Sequence, residues 1–211
     1  MMSRLTPLVI VGAGGFGREV LGLVRDINSA APTFDFLGFM DDGEINAHLL
    51  QRLGATLLGP ASRLADFAAS YVVGIGTTEP RRRIEAVARS LGRTAAVLKH
   101  PSATIGSDVQ IGDGAIVAAG ARLTTNIVIG RHAHINLNST IGHDAIVEDL
   151  PRSTSECTWA EVLSSRRVRH SALGASSCPT CGLATELSWG PGQWSYGTWS
   201  RTLRWSGPWL V

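Results

Sequence analysis

The hydrophobic and polar positions along the chain follow two rhythms and then neither. In the first hundred residues apolar runs alternate with amphipathic ones. "LVIVGAGGFGREVLGLV" is an apolar run, a glycine cluster and an amphipathic run, which predicts strand, turn and helix. "DFLGFMDDG" predicts a second strand ending in two acids, "SRLADFAAS" a short helix, "YVVGIG" a strand and "EPRRRIEAVARSLG" a helix. In that last helix Pro80 suits the first turn and Gly92 the stop. "AAVLKHP" predicts a final strand. Such alternation implies a short parallel sheet with helices packed on it.

From residue 101 the period becomes six. Ile105, Ile111, Val117, Leu123, Ile129, Ile135, Ile141 and Val147 follow one another without a slip. Two residues before each stands Ala103, Val109, Ala115, Ala121, Ile127, Ala133, Ser139 or Ala145, mostly small. A hexad repeat is a β-helix signature. Each short strand turns a corner, and stacked coils bury a ladder of the aliphatic residues.

After Val147 the same spacing falls on Ser153, Trp159, Ser165, Ser171 and Ser177. The vocabulary changes there too. All six Trp and all three Cys lie beyond residue 150, where Ile, Asp, Asn, Phe and Lys are absent. Three segments result: 1–100, a nucleotide-binding-like α/β domain; 101–150, the hexads; and 151–211, an irregular tail. Ile and Val codons ending in TC, read one nucleotide late, give Ser. The tail is therefore expected to be a frameshifted remnant of further coils, with a genuine divergent tail as the alternative. Cys178 and Cys181 form a lone C-x-x-C, a weak metal or redox signal.

Composition narrows the classes. A net charge of +2 gives no argument for nucleic-acid binding. No apolar run approaches the roughly 18 residues of a membrane span. The start "MMSRLTPLVIVGAGG" lacks the apolar core of a signal peptide, so a cytoplasmic location is expected.

Gly12, Gly14 and Gly17 fit G-x-G-x-x-G between strand and helix, where a helix N-terminus offers N–H groups to a phosphate. Asp41 and Asp42 end the second strand and are candidate ribose acceptors; Gly74 and Gly76 end another strand at the same sheet edge. The alternative is that the glycines serve the turn alone. Arg81, Arg82 and Arg83 read as an exposed helix face rather than a phosphate site.

"VGAGGFGREV", "MDD" and "GIGTTEPRRRI", followed by hexads containing "INLNSTIGHDA", resemble the NeuD/PglD-type sugar acetyltransferases over residues 8–150. The resemblance implies a Rossmann-like domain followed by a left-handed parallel β-helix, with acetyl-CoA as co-substrate and a sugar or nucleotide-sugar as acceptor. It also implies a homotrimer whose sites form between subunits, with acetyl-CoA along later coils. His143 matches the family's general base, Asp144 the acid beside it and Asn136 a polar residue of the same site. Gly12, Gly14, Gly15, Phe16, Gly17, Asp41, Asp42, Gly74 and Gly76 form the implied substrate-binding set. Many members carry His where this chain has Phe16, which cannot make that residue's hydrogen bond to the acceptor. With the later coils unreadable, weak or absent activity and failure to trimerise are expected.

Three other readings stay open. An NAD-dependent oxidoreductase would use the same glycines. A zinc hydratase of the γ-carbonic anhydrase type would use His132, His134 and His143, although His132 and His134 occupy alternate positions of one strand and are expected to be structural or surface residues. A non-catalytic sugar-nucleotide-binding protein would bind without transfer.

Overall fold

The computed structural model describes residues 5–152, together with the short strands 167–170, 185–187 and 196–198. The chain divides into two units, residues 1–174 and 175–211.

The first unit begins with β1 (Thr6–Val11), α1 (Gly15–Ala30), β2 (Phe34–Met40), α2 (Ala47–Arg52), β3 (Leu57–Gly59), a 3-10 turn (Ala61–Asp66), β4 (Ser70–Val73) and α3 (Thr78–Ser90). The strands form a parallel sheet in the order β3-β2-β1-β4. β1 is buried on both faces, as a central parallel strand must be. Leu8 and Ile10 join one core cluster, with Val20, Leu21 and Val24 of α1. Val9 and Val11 join the other, with Leu64 and Ala88. α2 and β3 have no counterpart in the sequence reading, because six residues, AHLLQR, are too few to display a helical period. Asn46 caps α2 by accepting from the Leu49 N–H at 3.3 Å.

"AAVLKHP" does not form one final strand of this sheet. Ala95 makes a single parallel bridge to Tyr71, and β5 (Leu98–Lys99) then pairs with the solenoid. The solenoid strands are β6 (Thr104–Ile105), β7 (Val109–Ile111), β8 (Ile116–Val117), β9 (Arg122–Leu123), β10 (Ile127–Ile129), β11 (His134–Ile135), β12 (Thr140–Ile141) and β13 (Ile146–Arg152). Three parallel sheets result: β5-β8-β11, β6-β9-β12 and β7-β10-β13. Each pairing joins residues 18 apart, such as Val128 with Ile146 and Ile116 with His134, so three hexads make one coil.

This is the left-handed β-helix that the resemblance implies, and its corners are built accordingly. Asp108, Asn126 and Asp144 stand at one corner with φ of 57°, 52° and 61°. Gly114, His132 and Leu150 occupy a second with φ of 72°, 52° and 51°, and Gly120 and Asn138 a third with 70° and 56°. The hexad ladder and its small partners fill the interior.

The residue just before each ladder position points outward, and the three sheets treat it differently. Leu98, Ile116 and His134 face the α/β domain and are buried. Arg122 is exposed. Gln110, Val128 and Ile146 line the third sheet, where Val128 and Ile146 are exposed at 39% and 44%.

β14 (Arg167–His170) extends this third sheet beside β13, but Ile146 meets Arg167, which breaks the 18-residue register. The second unit contains β15 (Thr185–Leu187) antiparallel to β16 (Tyr196–Thr198). Ser153, Trp159, Ser165, Ser171, Ser177, Cys178 and Cys181, on which the reading of the tail rests, lie outside the described residues. Among the described residues no helix is long and apolar enough to cross a membrane.

Candidate functional site

A cleft of about 1470 Å³ opens between the carboxyl ends of β1 and β4 and one corner of the solenoid. Gly12, Gly14, Gly15, Phe16, Asp41, Gly74 and Gly76 line it, as do the first turn of α3 and Asn136. The glycines divide by role. A Cβ on Gly17 would stand 1.9 Å from the Gly12 carbonyl oxygen, and one on Gly74 would stand 2.6 Å from the Gly17 Cα. Gly12 has φ +107°, and a Cβ there would strike Ile75 at 2.5 Å. These three close the packing of α1 against two strands. Gly14, Gly15 and Gly76 have nothing within 4 Å of such an atom and leave the cleft open. With Gly14 as an N-cap lacking any side-chain bond, the first N–H groups of α1 are available to an anion.

Asp41 lines the cleft, but its carboxylate already accepts from Ala13 N at 2.7 Å and Gly43 N at 2.8 Å. It ties the glycine loop to the end of β2. Asp42 is not among the lining residues; it accepts from Ala61 N at 2.8 Å and anchors the 3-10 turn.

Two imidazoles lie in the seam between the domains. His134 is buried with its ring 4.7 Å from that of Phe16, so Phe16 packs against the solenoid. Burial pushes His134 down to about 3, helped by Arg81 and His132. His132 sits at a left-handed corner rather than on a strand. Its Nε2 lies 3.4 Å from the Tyr71 hydroxyl, and burial, with Arg131 and Arg81, lowers it to about 4. Both are neutral at physiological pH and belong to the interior, not the surface. Arg81 corrects the reading of its run as an exposed face. Arg82 and Arg83 are exposed and pair with Glu79, but Arg81 is fully buried and donates to the His132 carbonyl at 2.7 Å. Burial lowers it to about 10, and the guanidinium remains charged. Glu85 and Arg131 pair beside it.

His143 and Asp144 lie elsewhere, at the exposed corner between β12 and β13. His143 Nδ1 is 2.6 Å from Asp144 Oδ2. The contact with His143, then that with Asn126, holds the Asp144 carboxyl below its usual range. Asn136 occupies the corner between β11 and β12, on the cleft. A single chain thus brings Asn136 to the glycine loop and does not bring His143 and Asp144 to the cleft, whose lining excludes both. Among the described residues no group of His, Cys, Asp or Glu is arranged to hold a metal ion. The three imidazoles of the hydratase reading face Tyr71, Phe16 and Asp144 instead.

The sequence profile of the PglD N-terminal domain matches residues 7–87. The chain is 27% identical over 145 residues to GDP-perosamine N-acetyltransferase of Escherichia coli O157:H7, a match covering 66% of this chain and 63% of that protein. The acetyltransferase domain of PglB from Neisseria gonorrhoeae FA1090, solved with acetyl coenzyme A, superimposes with a TM-score of 0.58 at 25% identity, over 70% of this chain and 69% of that one. In sequence and fold the chain is similar to the NeuD/PglD-type sugar acetyltransferases. A variant of perosamine N-acetyltransferase from Caulobacter crescentus, solved with CoA and GDP-perosamine, shares the fold with a TM-score of 0.59 at 24% identity, over 70% and 68%. The chain spans 63% of the length of the curated relative it matches.

Proposed function

We propose that the protein transfers an acetyl group from acetyl-CoA to an amine or hydroxyl of a sugar, in its nucleotide-linked form. The observation that carries this is the His143–Asp144 pair, 2.6 Å apart on an exposed corner of a hexad β-helix. An ionised carboxylate accepts only, so the proton of this contact sits on His143 Nδ1, and in the neutral ring Nε2 keeps its lone pair. In the proposed step Nε2 takes the acceptor's proton as its nitrogen or oxygen attacks the thioester carbonyl. The new C–N or C–O bond forms, the C–S bond breaks, and the proton passes to the departing CoA thiolate. The α1 N-terminus, Gly14, Gly15 and Gly76 would receive the diphosphate, with Asn136 at the mouth of the cleft. Relatives solved with acetyl-CoA, or with CoA and a GDP-linked amino sugar, support the two substrate classes.

Because cleft and imidazole occupy different corners of one chain, a second copy would have to supply His143 to a neighbour's cleft. The exposed Val128 and Ile146, in register on one sheet, would face a second copy in the homotrimer the resemblance implies, an assembly we assign to a product with the later coils restored rather than to the 211-residue chain. A cytoplasmic setting belongs to the same proposal. So does the origin of the tail: beyond residue 150 the text is a frameshifted remnant of further coils, and turnover by the 211-residue chain is correspondingly weak. The coding DNA tests this. A single-nucleotide correction after codon 150 should restore hexads with Ile or Val and Gly, and the corrected product should turn over at least tenfold faster. Absence of hexads in both other frames would refute the frameshift. Acetyl-CoA consumption assayed against nucleotide-linked amino sugars, with His143→Ala alongside, tests the reaction. Tight nucleotide-sugar binding without transfer by either product would favour the non-catalytic reading.

A further inference from the structure

We infer that Asn126 is the positioning residue of the His143–Asp144 pair, clamping the carboxylate from the coil beneath it so that His143 keeps its Nε2 free. The inference rests on the reading of His143 as the base. Asn126 precedes Asp144 by one coil and stands directly below it, at the same corner and in the same left-handed conformation. Its side-chain amide donates to Asp144 Oδ1, while Oδ2 faces His143 Nδ1 at 2.6 Å. Each carboxylate oxygen therefore has its own partner. An exposed His–Asp contact alone would constrain little, since solvent-facing pairs gain little and the carboxylate is free to rotate. A second, neutral donor on the other oxygen fixes that rotation and favours the ionised form, the form that requires the proton on Nδ1. The lowering of Asp144 by His143 first and Asn126 second is consistent with this division.

A purely structural account also exists, because Asn tolerates the left-handed corner better than most residues. Two variants separate the accounts. Asn126→Gly keeps the corner's conformational freedom and removes the amide. Asn126→Asp keeps the shape and replaces a donor with a like charge. The corner itself is held by backbone bonds that neither change touches, from Ile127 N to Asp108 O at 3.0 Å and from Asp144 N to Thr125 O at 3.2 Å.

The readout is the ring tautomer of His143 by 15N NMR on the full chain, with the Asp144 titration followed by carboxyl 13C. The native protein should show Nδ1–H. Both variants should move the population toward Nε2–H, the form an isolated imidazole prefers, and raise the Asp144 midpoint, Asn126→Asp the more. Where transfer is measured, kcat should fall about tenfold with KM unchanged. An unchanged tautomer and an unchanged Asp144 midpoint in both folded variants would overturn the inference. His143→Ala is read separately. If it leaves acetyl transfer intact while the tautomer still shifts in the Asn126 variants, the clamp stands and the assignment of the base fails.

Discussion

The seam between the two domains and the corner at His143 use the same side chain for opposite ends. In the seam, His132 and His134 lie in apolar surroundings beside Arg81, and burial with like charge holds both rings neutral. At the corner, His143 is exposed beside an acid whose carboxyl is held ionised. The difference is set by which outward face each coil position meets. His134 falls on the sheet that the α/β domain covers, whereas His143 falls at a turn that nothing within the described chain covers. An imidazole nine residues farther along the same solenoid thus goes from filler to candidate base. Environment, not residue type, makes the distinction.

The largest effect that sharpens this contrast is on rate. His143→Ala should reduce acetyl transfer by roughly 10²–10⁴-fold, the usual contribution of a positioned base. His132→Asn, a residue that suits the same left-handed corner, should leave kcat per folded molecule within about threefold. Steady-state kinetics on both variants checks the pair, and equal losses would erase the distinction.

A second effect is on stability and runs through pH. His132 is lowered in the folded state from 6.5 to about 4, and His134 from 6.5 to about 3. The unfolded chain therefore takes up these protons first. This stability is full above about pH 6.5 and falls as pH drops from 6.5 toward 4 for His132 and toward 3 for His134. The His132 contribution alone is about 3 kcal/mol. Urea midpoints at pH 7 and pH 4 should differ, and His132→Asn should narrow the gap. A gap that does not narrow would remove His132 from the seam's ledger of acid sensitivity.

Smaller effects separate packing glycines from open ones. Gly17→Ala should cost about 1–3 kcal/mol, because its Cβ would overlap the Gly12 carbonyl. Gly15→Ala should change stability by less than about 0.5 kcal/mol and instead weaken nucleotide-sugar binding. Thermal melts and calorimetric titration of the two variants distinguish them.

The solenoid was legible because its period is enforced at every coil: Ile105 through Val147 must all point inward, and a single slip would bury a polar residue. The outward column was less legible. Ile116, Val128 and Ile146 occupy equivalent places in the hexad, yet the first is covered by the α/β domain and the other two are exposed. Nothing in a hexad states what lies outside it. The same gap explains Arg81. A run of three arginines reads as a solvated face, and only the docking of α3 against the corner at His132 buries one of them. "AAVLKHP" read as a sheet strand because its composition suits a strand in either domain; its partner, β8, lies 18 residues ahead. The site was legible in its pieces and not in its assembly. Gly12 and Gly17 fit a dinucleotide-type loop, and packing alone accounts for both. Asp41 and Asp42 fit ribose acceptors, and both hold backbone N–H groups. Asn126 was missed although its signal was present, since it precedes Asp144 by one coil.

The central claim, that His143 is the base of an acetyl transfer, is tested most directly by single-turnover transfer with enzyme in excess over acetyl-CoA and a nucleotide-linked amino sugar. This detects slow chemistry that steady-state assays miss. The account predicts stoichiometric CoA thiol and N-acetylated sugar from the wild-type chain, and a rate lower by at least a hundredfold from His143→Ala. Formation of acetylated sugar at equal rates by the two proteins would contradict it.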